Sequence, residues 1–392
     1  MRWRILALLF LGRIGLGFQF QTLASVGDDL VVAFGLDYAG LGLLIGLFMA
    51  PGLVLTLPAG YLGRRIADRE MVAFGLGALA VGGLVSSLAT SGATVGVGRA
   101  IAGIGFLFAN LYFTKMVADW FEGREIATAM SILVMSWPFG IAMGQIGHAW
   151  LVEAYGWQVP FRVASAYCLL AAMAVLALYH APETARGAQA GGATKLTGQE
   201  WRLILCAAGA WGLFNSAYII YLSFGPLVLQ SFGLTALAAA GVISIASWVM
   251  IGSGALCGQI VDRFGHRNLV MTICMAGAVL ALWLLSVPGA GLAGSLLLGL
   301  LGMAPAGVIM ALSGLALRPQ VRALGMGVFF TIYFACMMAT PPAAGALLDA
   351  TGDPFAPIWL AIAMFACVVP LVLAFQMIKS GSGTAKRAAS LP

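Results

Sequence analysis

The spacing of its charges limits this chain more than any other feature. Apolar runs of about 20 residues follow one another along almost the whole chain, parted only by short clusters of charged residues, glycine or serine. A run of that length is what an α-helix needs to cross the hydrocarbon core of a bilayer. The 392 residues hold 20 Lys and Arg and 14 Asp and Glu, 9% charged, where a soluble domain carries about 25%. With a mean hydropathy of +1.00, no water-soluble domain of useful size fits, so soluble-enzyme and nucleic-acid-binding readings fall away. The chain reads as an all-α membrane protein. Cys168, Cys206, Cys257, Cys274, Cys336 and Cys367 stand singly in apolar stretches with no CxxC pair, the pattern of small core residues rather than disulfides or metal ligands.

Cutting at the charge clusters predicts twelve spans, at 5–25, 39–62, 71–90, 94–117, 126–153, 159–179, 202–230, 237–260, 268–287, 290–316, 322–347 and 356–378. If the N-terminus is cytoplasmic, 16 of the 20 basic residues fall on that side, while the opposite loops hold Asp28, Asp29, Asp37, Asp349 and Asp353 and no basic residue. That bias predicts an inner-membrane protein with both termini in the cytoplasm. Between the sixth and seventh spans, residues 180–200 contain Gly187, Ala188, Gln189, Gly191 and Gly192, which suits a flexible linker. The expected organisation is a six-helix bundle over 1–179, a cytoplasmic linker over 180–200, a second six-helix bundle over 201–378, and a cytoplasmic tail over 379–392.

The halves repeat. Gly60-Tyr61-Leu62-Gly63-Arg64-Arg65 after the second span matches Gly258-Gln259-Ile260-Val261-Asp262-Arg263 after the eighth, a shift of 198 residues. Leu151-Val152-Glu153-Ala154-Tyr155-Gly156 matches Leu347-Leu348-Asp349-Ala350-Thr351-Gly352 with a shift of 196. Duplicated halves that rock about a midplane site are a construction of secondary transporters.

On these residues the chain resembles the major facilitator superfamily along essentially its whole length. Gly258, Asp262, Arg263, Gly265 and Arg267, with His266 between, match the family's loop motif, Gly-x-x-x-Asp-Arg-x-Gly followed by basic residues. In the first-half copy Arg64 and Arg65 stand where Asp-Arg is expected, and Ala67 replaces the glycine. The resemblance implies that these loops latch the halves through ion pairs and helix-end contacts. Arg99-x-x-x-Gly103-x-Gly105 is similar to the family's fourth-helix motif, and Trp137-Pro138-x-Gly140-x-x-x-Gly144-x-x-Gly147 is loosely similar to its fifth-helix Gly-Pro signature. In style the chain resembles the anion carriers of the superfamily, of nitrate, nitrite or cyanate type, although no arginine lies at mid-depth after residue 201 to match the nitrate carriers' second one.

A charge at mid-membrane is expensive and marks a candidate site. Arg13, Gly17 and Gln21 follow at four-residue spacing and share a face, which should look into a water-filled cavity; the alternative is an Arg13 that snorkels or caps a carbonyl. Arg99, with Gly103, Asn110 and Thr114 near its face, either binds substrate or pairs with backbone. Lys115 is expected to reach the interface, and Arg162 to pair with Glu153. Neutral donors at compatible depth are Ser136 and Trp137 in the fifth span, Asn215, Ser216 and Tyr218 in the seventh, and Tyr333 in the eleventh. No Asp or Glu falls at mid-depth, so the buried charge is positive, and the planar guanidinium fork favours an anion.

His148, His180 and His266 are far apart, and neither an HExxH pattern nor a Walker lysine occurs, so no enzyme, metal or cofactor is expected. The sequence reading is a monomeric secondary transporter moving a small inorganic or organic anion by alternating access, with a coupling proton or counter-anion left open. Its expected substrate-binding set is Arg13, Gln21, Arg99, Asn110, Trp137, Asn215, Tyr218 and Tyr333. The readings that stand against it are a proton-coupled exporter of amphipathic metabolites or drugs and a transporter-like sensor or assembly subunit without flux.

Overall fold

Hydrocarbon offers a backbone no water to bond to, so each span must satisfy its own amides, and the chain does this with helices. The computed structural model describes residues 2–62, 66–121, 125–182, 195–318 and 321–388, leaving aside the side chains of 57, 59–62, 127, 262, 322, 323 and 381–388. The first half comprises α1 (Arg2–Ser25), α2 (Gly27–Phe34), α3 (Tyr38–Leu47), α4 (Ala50–Leu62), α5 (Asp68–Ser87), α6 (Gly92–Phe121), α7 (Ile126–Tyr155) and α8 (Gln158–Leu178). The second comprises α9 (Gly198–Ser231), α10 (Ala236–Phe264), α11 (Arg267–Leu284), α12 (Gly291–Leu297), α13 (Ala306–Leu315), α14 (Arg322–Thr351) and α15 (Ala356–Ala388). Among the described residues twelve helical segments are long and apolar enough to cross a membrane, each within several residues of its predicted span. The tenth is α12 joined to α13 through a π turn, Leu298–Gly302, and the second is α3 followed by α4.

Polar residues set the ends. Asp37 caps α3 by accepting from the Gly40 amide at 2.7 Å, and Thr197 and Glu200 form a reciprocal capping box at the start of α9. Glu200 also takes Arg318 Nε at 2.7 Å, which ties that helix start to the segment before α14. The short α2 was not expected, because Gly27-Asp28-Asp29 reads as a loop; in the structure both aspartates occupy the first turn of a helix, where its dipole favours them. Pro51 lies in the first turn of α4 and Pro305 immediately precedes α13, positions where a missing amide hydrogen breaks no helix ladder.

In the first bundle α1 packs on α7 and α8, and α5 on α6 and α8; in the second α9 packs on α14 and α15, and α11 on α15. The bundles meet where α14 lies along α3 and α4, and where α10 lies along α7. The end at which α1 and α9 begin is the terminal end, and its opposite is the distal end. The described ion pairs, Arg2–Glu125, Asp68–Lys115–Asp119 and Glu200–Arg318, each stay within one half. Lys115 is thus paired rather than simply reaching for the interface. Arg162 and Glu153 are both exposed and no described ion pair joins them, contrary to expectation.

The distal end holds the polar ties between halves. Asp349 of α14 accepts from the amides of Tyr38 and Ala39 at 3.0 and 2.8 Å, capping α3 from the other bundle. Below that contact α3 and α14 touch backbone to backbone: a Cβ on Gly42 would land on the Pro341 carbonyl and one on Gly46 on the Met338 carbonyl. On the second interface Gln145 Nε2 donates to the Leu222 carbonyl at 3.4 Å.

Candidate functional site

Arg13 is where sequence, packing and charge come together. The helix α1 can approach α7 because Gly17 presents no side chain to the Trp137 carbonyl and Gly140 none to that of Ile14. Pro138, inside α7, has no amide hydrogen for the carbonyl four residues earlier, that of Val134. The Arg13 guanidinium covers this gap: Nη1 donates to Leu133 O at 2.9 Å, to Val134 O at 3.4 Å and to Ser136 Oγ at 3.0 Å. Nη2 donates to Asn110 Oδ1 on α6 at 2.7 Å. The stripe of Arg13, Gly17 and Gln21 therefore faces α7, not an open cavity; four-residue spacing identifies a face but not what the face meets.

This coordination leaves two things unspent. Arg13 Nε is buried with no partner among the described residues, and every described partner of the guanidinium is neutral, so its charge has no counter-ion among those contacts. Across the seam Tyr333 of α14 lies within electrostatic range of Arg13. Tyr333 continues into an aromatic wall of the second bundle, with Trp211 at 6.3 Å, Phe330 at 6.3 Å and Phe334 at 5.1 Å between ring centroids. Asn215, one turn from Trp211, donates to the Trp211 carbonyl at 2.8 Å.

The structure separates the other expected residues from this cluster. Arg99 is sealed inside the first bundle, donating to the Gln19 and Phe20 carbonyls at 3.3 and 3.4 Å and lying over the Phe48 ring at 4.4 Å. Of the two roles open to it, backbone pairing is the one its contacts describe. Trp137 packs on Phe20 and Phe106 in the same bundle. Tyr218 shares a 2.5 Å hydrogen bond with Ser247 deep in the second bundle, and Gln21 is buried with its amide turned to Ser25. Trp211 and the α7 carbonyls escaped the sequence reading; the usable signal was the i, i+4 spacing of Trp211 and Asn215. In the loop motif Gly265 has φ of +81° and closes α10, a conformation that favours glycine. Arg263 lies over the Phe264 ring, while Arg64, Arg65 and the Asp262 side chain lie outside the described residues.

The profile of the Major Facilitator Superfamily matches residues 9–341. The chain belongs to that superfamily. This superfamily member is 24% identical over 347 residues to a gallate transporter of Pseudomonas putida, a match covering 79% of the chain and 76% of that protein. Its fold is shared with a D-xylose–proton symporter (TM-score 0.75, 14% identity, 95% of this chain and 97% of that one) and a nucleoside transporter (0.72, 16%, 95% and 98%). A bacterial homolog of the human lysosomal transporter Spinster in an inward-facing, unoccupied conformation is also similar (0.69, 17%, 96% and 96%). The protein is thus a multi-pass membrane transporter of the major facilitator fold.

The distal seam is expected to respond to pH. Asp28 keeps an exposed face, yet partial desolvation by its neighbours raises its carboxyl above the usual carboxylate range, the Gln230 side chain opposes this by hydrogen bonding, and neighbouring Asp29 adds to it. An acid whose pKa is higher with the seam closed binds its proton more tightly there, so lowering pH through that range favours closure and raising it favours opening. Electron-resonance distances between labels at the distal ends of α3 and α14 should shorten on acidification, and Asp28→Asn should remove the response. A wild-type distance indifferent to pH would refute this assignment.

Proposed function

We propose that this transporter carries a small organic anion, a carboxylate of the aromatic-acid class, bound between Arg13 and the Trp211–Tyr333 wall. The observation that carries this reading is a buried guanidinium with only neutral partners, one unused N–H and an aromatic wall facing it from the other bundle. Arg offers directional donors to a carboxylate, while a ring-bearing anion gains from stacking on Trp211 or Tyr333. The relative described as a gallate transporter supports the same class, so a ring-bearing carboxylate is favoured over nitrate, nitrite or cyanate.

The mechanism follows from which half each group belongs to. Arg13, Asn110 and Ser136 ride on the first bundle, and Trp211, Asn215 and Tyr333 on the second, so an anion between them ties the bundles together and alternating access rocks one against the other. With the terminal end cytoplasmic, as the basic loops support, the distal ties make the described arrangement closed to the outside. The loop residues Gly258, Asp262, Arg263, Gly265 and Arg267, with Arg64 and Arg65, are assigned the latch at the opposite end, and residues 180–200 the link between units that work as a monomer.

Uptake of labelled gallate and of nitrate into proteoliposomes, with and without a pH gradient, tests the reading: saturable gallate uptake is expected, and nitrate uptake without gallate uptake would displace it. The orientation has its own test. A reporter fused after Ala188 or after Pro392 should be cytoplasmic and one inserted near Asp353 external; an external signal at residue 188 would overturn the arrangement.

A further inference from the structure

We infer that the site between the bundles reads a ring hydroxyl on its anion, and that Asn215 Oδ1 of α9 is the group that reads it. Two amides on opposite sides of the seam are anchored in opposite senses. Asn110 of α6 is held through its oxygen, because Arg13 Nη2, 2.7 Å away, can only donate. Asn215 is held through its nitrogen, because the Trp211 carbonyl, 2.8 Å from Nδ2, can only accept. Each amide is thereby fixed in orientation, the first leaving an NH2 group free and the second a carbonyl oxygen. Both residues, like Tyr333, are half-buried. Among the described residues nothing bonds to Asn110 Nδ2, Asn215 Oδ1 or the Tyr333 hydroxyl, and none of these atoms is sealed from solvent.

The placement of α9 turns Asn215 toward the first bundle. Leu222, seven residues further on and therefore on the same helix face, meets Gln145 of α7 through its carbonyl. Trp211, four residues back, adjoins Tyr333, which lies within electrostatic range of Arg13. The internal repeat gives the same register: the 198-residue shift carries Arg13 onto Trp211 and Gly17 onto Asn215. Gly17 lets α1 close on the Trp137 carbonyl, whereas at the matching place α9 carries an amide. The second bundle thus sets an aromatic ring at the place matching the cation and a bare acceptor one turn nearer the distal end.

Counting donors and acceptors gives the ligand its two ends. Around Arg13 the free groups donate, namely its own Nε–H and the Asn110 amide, while the Leu133 carbonyl and the Ser136 hydroxyl are already bonded. At Asn215 the free group accepts, and the Tyr333 hydroxyl can serve either side. A carboxylate is acceptor-only, so it belongs at Arg13 and offers Asn215 Oδ1 nothing; a ring hydroxyl presents the missing hydrogen. Resting on the reading that a ring-bearing carboxylate is carried, the ligand is a hydroxylated aromatic acid with its carboxylate on the first bundle, its ring against Trp211 and an O–H donating to Asn215 Oδ1. A site that hydrogen-bonds a hydroxyl rejects the analogue lacking it, because its own polar group is then stripped of water and left unpaired.

The test titrates the full-length protein in lipid nanodiscs with gallate and with benzoate, which share the ring and the carboxylate and differ in the hydroxyls. Gallate is expected to bind roughly tenfold tighter or more, and in Asn215→Leu or Asn215→Ala that ratio should collapse to about one while benzoate affinity holds. A merely structural role would weaken both acids alike and keep the ratio. Asn110→Ala acts at the other end and should weaken both acids by a similar factor. Equal wild-type affinities for the two acids overturn the proposal without any variant, and so does an unchanged ratio in the Asn215 variants. A ratio that collapses in Asn110→Ala instead would mean that the ligand lies the other way round, which overturns the assignment to Asn215. If the wild type binds neither acid, the carboxylate reading fails and this inference with it, an outcome distinct from equal binding of both.

Discussion

Replacing Arg13 by lysine should weaken gallate binding by roughly 10- to 150-fold, the equivalent of about 1.5–3 kcal/mol for hydrogen bonds to a charged group. The guanidinium spans two helices, with Nη2 on Asn110 of α6 and Nη1 on the carbonyls before Pro138 of α7. An ammonium is a single point that cannot hold both and still present a donor to the substrate. Arg13→Gln should do at least as much harm, because it also removes the charge that offsets desolvation of the anion. Since Arg13 satisfies the Val134 carbonyl freed by the proline, both variants should also unfold at lower temperature, so isothermal binding and thermal unfolding must be read together. If both variants bind gallate with wild-type affinity, Arg13 is only a brace for α7 and the anion site lies elsewhere.

An equally large effect is expected from Gly46→Leu, which acts on the conformational equilibrium rather than on the ligand. A side chain there meets the Met338 carbonyl, a backbone atom that cannot swing aside. Overpacking of this kind costs about 1–3 kcal/mol, and here the cost falls on the state in which the distal ends touch. A bias of that size shifts the closed-to-open ratio by roughly 5- to 150-fold. Transport should fall by a comparable factor, and the label distance between the distal ends of α3 and α14 should lengthen. An unchanged distance together with normal flux would show that this contact is not made during the cycle.

The spans could be read from the sequence because hydrocarbon permits so few backbone solutions: a charge-free run of 20 residues has little choice but to be a helix. What each helix faces was much less legible. Arg13, Gly17 and Gln21 do form one stripe, yet the stripe is buried against α7 because Gly17 and Gly140 remove the side chains that would have held the helices apart. Pro138 and Arg13 looked like separate features 125 residues apart, and only packing shows that one answers the other. Arg162 and Glu153 were matched by sign and proximity in the chain, which ignores where their helix faces point.

The distribution of ion pairs has a consequence for how such a chain changes over generations. Among the described residues Arg2–Glu125, Asp68–Lys115–Asp119 and Glu200–Arg318 each close within a single half, while the polar ties across the distal seam run from the Asp349 carboxylate and the Gln145 amide to backbone groups. A charge reversal at one of these pairs can therefore be repaired by a second change in the same half, without consulting the other. At these pairs the two copies are free to drift apart in charge as long as the shapes of α3 and α14 continue to match and Asp349 keeps its hold on α3. The worn loop motif of the first copy, with arginines where the second keeps Asp262 and Arg263, is what such independent inheritance produces.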